Sequence, residues 1–144
     1  MSRIIERQSR RESGRKAKFA MLCVLFIANL LASCATTLPP IRDDISSAEL
    51  IQKAQERSDS YDWKGAKYYY MALLEKFPND GTLVVTAMYE LAFIENKQGH
   101  IEAARAGLQA VLDKYSAPEG SSLPQTWKIL SEKVLAGLPK APAK

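Results

Sequence analysis

Ala54 and Ala66 are followed 38 residues later by Ala92 and Ala104, and all four alanines lie within stretches of helical period. A single alanine at such a place is uninformative. Four in register mark points where helix axes come close, with Tyr70 and Leu108 as the bulky residues that fill the adjoining holes. This recurrence leads us to expect an all-α chain folded as helical hairpins, each pair repeating the packing of the one before.

Period and punctuation place the elements. Ser46 and Glu49 are spaced as a capping box, which opens a first helix over about 47–58 whose apolar side, Ala48, Ile51 and Ala54 with Gln55, is modest. A second helix over 62–77 carries Trp63, Ala66, Tyr70, Leu73, Leu74 and Phe77 before Pro78-Asn79-Asp80-Gly81 stops it. A third over 82–98 offers Leu83, Val84, Ala87, Met88, Leu91 and Ala92 and ends at Gly99, a residue suited to the left-handed conformation past a helix end. Ile101, Ala104, Leu108, Val111, Leu112 and Tyr115 define a fourth over 101–115. A fifth begins near Pro124 and ends before Gly137, and its apolar residues Trp127, Leu130, Val134 and Leu135 are expected to cap the open end of the stack. A plain antiparallel bundle of four or five helices is the alternative arrangement of the same elements. Tyr68-Tyr69-Tyr70 point about 100° apart on a helix, so at least one of them is expected to be exposed.

The paired helices resemble the tetratricopeptide repeat. The second copy carries Leu91-Ala92, Gly99, Ala104, Leu108 and Val111 at the family's large and small positions; the first carries Ala54, Ala66, Tyr70, Leu73 and Pro78. The first copy departs at Lys53, where a large apolar residue is usual, and at Tyr61, where Gly is usual. The 38-residue offset exceeds the family's usual spacing of about 34 and implies a four-residue extension around Asn79 to Val85. In that family the first helix of each pair lines a concave groove. The resemblance therefore places Ile51, Gln55 and Ser58 beside Tyr89, Phe93, Asn96 and Lys97 as a partner-binding surface, and two aromatics with polar neighbours suit an interface core. Packing of Tyr89 and Phe93 against the capping helix is the alternative.

The front of the chain has a different character. Residues 1–33 hold seven Lys and Arg against two Asp and Glu, a net of +5, and the remainder holds 13 against 14, a net of −1. The sequence pI near 9.1 thus belongs to the leader, and charge gives no support to nucleic-acid binding. Phe19 to Leu31 is an uncharged run of 13 residues, short of the roughly 20 needed to cross a bilayer and suited to a signal-peptide core. It leads into Leu31-Ala32-Ser33-Cys34, which resembles the bacterial lipobox at all four positions.

That resemblance implies cleavage before Cys34, acylation of Cys34, and a protein held at a membrane by its lipid chains. Ala35, in place of the Asp of the inner-membrane retention pattern, points to the outer membrane facing the periplasm. An uncleaved anchor is the alternative. Ser9-Arg10-Arg11 is similar to a twin-arginine export signal but is followed by Ser13 and Gly14 where apolar residues belong. Cleavage would also remove Cys23, leaving no free thiol once Cys34 is acylated. The expected organisation is a signal peptide over 1–33, a Pro-containing flexible tether over 34–45, a helical domain over 46–138 and a disordered tail over 139–144.

The chain after Cys34 offers little for catalysis. It has one histidine, His100, read as a solvated turn residue, and no phosphate-cradling Gly loop, HExxH or nucleophile elbow. Asp59 and Asp62 suit helix ends better than acid and base roles. No enzyme activity, metal, cofactor, small-molecule substrate or nucleic acid is expected. The expected function is that of a periplasm-facing membrane lipoprotein binding another protein of an envelope complex, such as outer-membrane assembly, secretin pilotin, motility or transport machinery. A structural spacer or surface lipoprotein without a specific binding groove is the alternative.

Overall fold

The computed structural model describes residues 38–140. Among them the helices are α1 (Ser47–Asp59), α2 (Trp63–Lys76), α3 (Gly81–Lys97), α4 (Ile101–Ser116) and α5 (Gln125–Gly137), with a 3-10 helix, Pro118–Ser122, between the last two and no strand. The all-α expectation holds, and the helix ends fall within about two residues of where sequence punctuation puts them. Side-chain caps explain this agreement: Ser46 Oγ accepts from the Glu49 amide at 3.1 Å, Asp62 Oδ1 from Gly65 at 3.0 Å and Asp80 Oδ1 from Leu83 at 3.0 Å. Leu50, which the sequence reading passed over in favour of the exposed Ala48, is fully buried and anchors α1.

Each of the first four helices packs on the next, and α5 folds back on α4 and α3. Two apolar clusters result. The first joins Leu50, Ala54, Ala66, Tyr69, Tyr70 and Leu73 to Ala87 and Ile94 of α3. The second joins Tyr89 and Ala92 of α3 to Ala104, Leu108 and Val111 of α4, flanked by Trp127, Leu130, Val134 and Leu135 of α5. Of the packing residues expected from the repeat, six are in these cores: Ala54, Ala66, Ala104 and Leu108 are 0% exposed, Tyr70 1% and Ala92 3%; Gly99 is instead exposed in the α3–α4 turn. Gly107, not singled out by the sequence, sets the α3–α4 distance, since a β-carbon there would lie 2.7 Å from Ala92 Cβ.

The 38-residue recurrence extends to backbone hydrogen bonds. The α1–α2 turn is made by Ser60 N–H to Glu56 O, Tyr61 N–H to Ser58 O and Asp62 N–H to Arg57 O. The α3–α4 turn repeats all three, as Gln98 to Ile94, Gly99 to Asn96 and His100 to Glu95. Both are helix C-caps with one left-handed residue, Gly99 at φ 78° and Tyr61 at φ 58°. Even the bracing side-chain contact recurs with the acid on the other helix end: Arg57 with Asp62 at 3.0 Å, and Glu95 with His100 Nδ1 at 2.6 Å. The extension expected near 79–85 is an added helical turn, because α3 has 17 residues and α1 has 13.

The tether reading is corrected over its described part. Ile45 is 6% exposed and Ile41 packs against the same cluster, while Tyr68 Oη donates to Pro39 O at 3.0 Å and Arg42 Nη2 lies 2.8 Å from Glu49 Oε2. Residues 39–45 are a strap bound to α1 and α2. Two isoleucines four apart between prolines and acids gave no periodic signal, so their burial could not be read from the sequence. The strap also half-covers Tyr68, leaving Tyr69 and Tyr70 in the core. At the other end, Leu138 is buried and Arg105 Nη2 donates to Pro139 O, so these residues belong to the fold. The signal peptide, Cys34 and residues 141–144 lie outside the described residues.

A left-handed backbone strains a side chain bearing a β-carbon, by roughly 1–2 kcal/mol. The two equivalent turns should therefore respond with opposite signs: Tyr61→Gly is expected to stabilise the domain by about 1 kcal/mol, and Gly99→Ala to destabilise it by about as much. Urea unfolding measures both, and equal signs would refute the equivalence of the turns.

Candidate functional site

Helices α1 and α3 both pack on α2 and leave between them a cleft of about 520 Å³. Its α1 wall presents Gln55, Ser58 and Asp59; its α3 wall presents Glu90, Phe93, Ile94 and Lys97. Tyr61 of the α1–α2 turn and Trp63 at the start of α2, whose rings meet edge to face at 5.6 Å, line one end, and Tyr70 of α2 contributes to the lining. The spacing i, i+3, i+4, i+7 is what gathers Glu90, Phe93, Ile94 and Lys97 on one side of α3.

The polar groups here are unusually free of protein partners. Among the described residues Glu90 makes no hydrogen bond and no ion pair within 4.0 Å, although it is half-buried, and desolvation pushes its carboxyl above the ordinary 4.5. Tyr70 is 1% exposed, yet its hydroxyl has no hydrogen-bond partner among the described residues; burial first, then the charges of Glu90 and Asp59, push its pKa up. Tyr89 is shifted the same way by burial and by Glu90, so this carboxylate acts on two phenols. Ser58 Oγ is inaccessible and unpartnered. Lys97 makes no ion pair either; its ammonium stands 4.9 Å from the centre of the Phe93 ring.

The structure divides the residues expected to bind a partner. Gln55, Ser58, Phe93 and Lys97 come together in the cleft. Ile51 packs on the first apolar cluster, and Asn96 lies half-buried outside the cleft lining. For Tyr89 the alternative holds and it is a core residue, not part of the partner-binding surface: it is 6% exposed, stacked on Phe93 at 5.8 Å and packed against Trp127 at 5.0 Å, because α5 folds over that side of α3. Sequence reasoning passed over Glu90, Tyr61 and Trp63. Glu90 was within reach, being three residues before Phe93 on the same helical stripe, whereas Tyr61 and Trp63 are delivered by the turn and the start of α2.

The other titratable groups have structural work. Glu95 bridges Lys67 of α2 at 2.9 Å and His100 at 2.6 Å, and these hydrogen bonds hold its carboxyl below the ordinary range. His100 is an exposed turn residue, and Asp62 caps α2, both as expected. Among the described residues no group of His, Cys, Asp and Glu could hold a metal, and no helix is long and apolar enough to cross a membrane.

No family model matches the chain, and no solved structure does. A Treponema pallidum (strain Nichols) protein described as uncharacterized is 34% identical over 113 residues, which is 76% of this chain and 43% of the relative. The chain thus spans less than half the length of that relative.

The unpaired Glu90 has a pH signature. Its folded-state pKa is raised, so its ionisation opposes folding. That penalty is absent well below the ordinary 4.5 and grows as pH rises through the folded-state value. Glu90→Gln should therefore stabilise the domain near pH 7 by about 1 kcal/mol, with the gain vanishing near pH 4. Thermal melts of the two proteins across that range decide it; a gain that is constant with pH would refute it.

Proposed function

We propose that this chain is a lipid-anchored docking module. In this reading Cys34 is the acylated first residue of the mature protein, held in the outer membrane and facing the periplasm. The hairpins α1/α2 and α3/α4 are two repeats of tetratricopeptide type with α5 as their cap, and the domain holds another protein of an envelope complex. The lipobox residues and Ala35 support the anchor. The 38-residue recurrence of buried alanines and turn hydrogen bonds supports the repeats.

The observation that carries the docking role is the cleft itself. It lies between the first helices of the two pairs, where the repeat family places its groove, and it gathers aromatic faces around polar groups that the fold leaves unpaired. Buried aromatics set among polar groups are what concentrates binding energy in an interface. Phe93 has one face on Tyr89 and reaches the cleft lining, which distinguishes this surface from a purely internal aromatic cluster.

Two substitutions test the two halves of the proposal. Cys34→Ser should shift the protein from the membrane to the soluble fraction and abolish metabolic labelling with palmitate, while the helical circular dichroism is kept; membrane retention with unchanged labelling would overturn the anchor. Gln55→Trp obstructs the cleft from an exposed position and should change stability by no more than about 0.5 kcal/mol. It should abolish reproducible recovery of an envelope protein in affinity purification from solubilised membranes, and unchanged recovery would refute a docking role for the cleft.

A further inference from the structure

We propose that the α1–α3 cleft receives the cationic side chain of a basic segment in the partner protein, arginine in preference to lysine. This rests on the docking reading above and specifies its occupant.

The cleft's unpaired groups point to a multivalent donor. The half-buried carboxylate of Glu90 and the hydroxyl of Tyr70, both in the cleft lining, can accept hydrogen bonds, and neither has a partner among the described residues. A guanidinium carries five N–H donors in a fixed plane and no acceptor, and it also stacks on aromatic faces. Trp63 and Phe93 line the same space, and Tyr61 lines it at the turn.

The alternatives fit less well. An apolar side chain would bury Glu90 further with nothing to satisfy it. An acidic one would meet both Glu90 and Asp59, opposed in the lining only by Lys97, which is exposed and pairs with no carboxylate among the described residues. Lys97 also reports on the site, because its ammonium stands over the Phe93 ring at 4.9 Å, showing that this ring accepts a cation. An incoming guanidinium can occupy the ring face while Lys97 swings to solvent on its flexible stem.

The test uses the full chain in a neutral detergent and three blocked pentapeptides, acetyl-Ala-Ala-Xaa-Ala-Ala-amide, with arginine, citrulline or glutamate at the centre. Citrulline keeps the shape of arginine without its charge. Binding is followed by the NMR shift of the Trp63 indole. The arginine peptide should saturate that signal, citrulline should bind about tenfold more weakly, and glutamate should not bind. Glu90→Gln should weaken the arginine peptide about tenfold while the domain remains folded and melts higher near pH 7.

Equal binding of arginine and citrulline, or an affinity unchanged by Glu90→Gln, would overturn the proposal. If no arginine binding is seen but Gln55→Trp still abolishes partner recovery, the docking reading stands and the cationic occupant is refuted. If the arginine peptide binds but Gln55→Trp leaves recovery intact, the cleft is a site for small cations and the partner assignment fails.

Discussion

Helices α3 and α4 meet closely where a β-carbon on Gly107 would lie 2.7 Å from the Ala92 methyl. Protein interiors are close-packed, so a crossing this close leaves little freedom in the position of either helix. α3 is thereby fixed against α4 on one side, while Ala87 and Ile94 hold it against the first hairpin on the other. The cleft inherits this placement. Glu90, Phe93 and Lys97 project from a helix whose position is set by residues that never face solvent, which gives a small domain a preformed surface.

Much of this was legible because repetition writes itself into sequence. Alanines at 54, 66, 92 and 104 gave the hairpins, and Gly99 gave one turn, since only a few residue types accept the left-handed backbone. The equivalent turn at Tyr61 was flagged as a departure from the pattern. The structure shows the same conformation adopted there by a residue poorly suited to it. The strap was invisible because burial of two isolated isoleucines depends on a surface that exists only once α1 and α2 are paired. For Tyr89 the sequence left groove and core both open for a related reason. Its helical face is clear in the sequence, but which neighbour covers that face is decided by how α5 returns.

Glu90 shows how stability and recognition pull apart in a small domain. A carboxylate held half out of water without a partner is a standing cost to the fold, and nothing in the packing requires it to be ionisable. Lys67 and Glu95, by contrast, satisfy each other across α2 and α3 at 2.9 Å. The same short chain thus contains a charged pair that braces the hairpins and a charged group that the fold leaves unsatisfied. Departures from local consistency of this second kind concentrate at functional sites.

One feature of α3 reaches beyond the cleft. Its residues alternate between the two apolar clusters, Ala87 and Ile94 facing one and Tyr89 and Ala92 the other, so it belongs to both cores. In a long repeat array, neighbouring units can melt one after another. Here loss of either hairpin strips one side of α3 of its covering, which couples the stability of the two hairpins. Strain or ligation in one hairpin is therefore transmitted to the other through the helix they share.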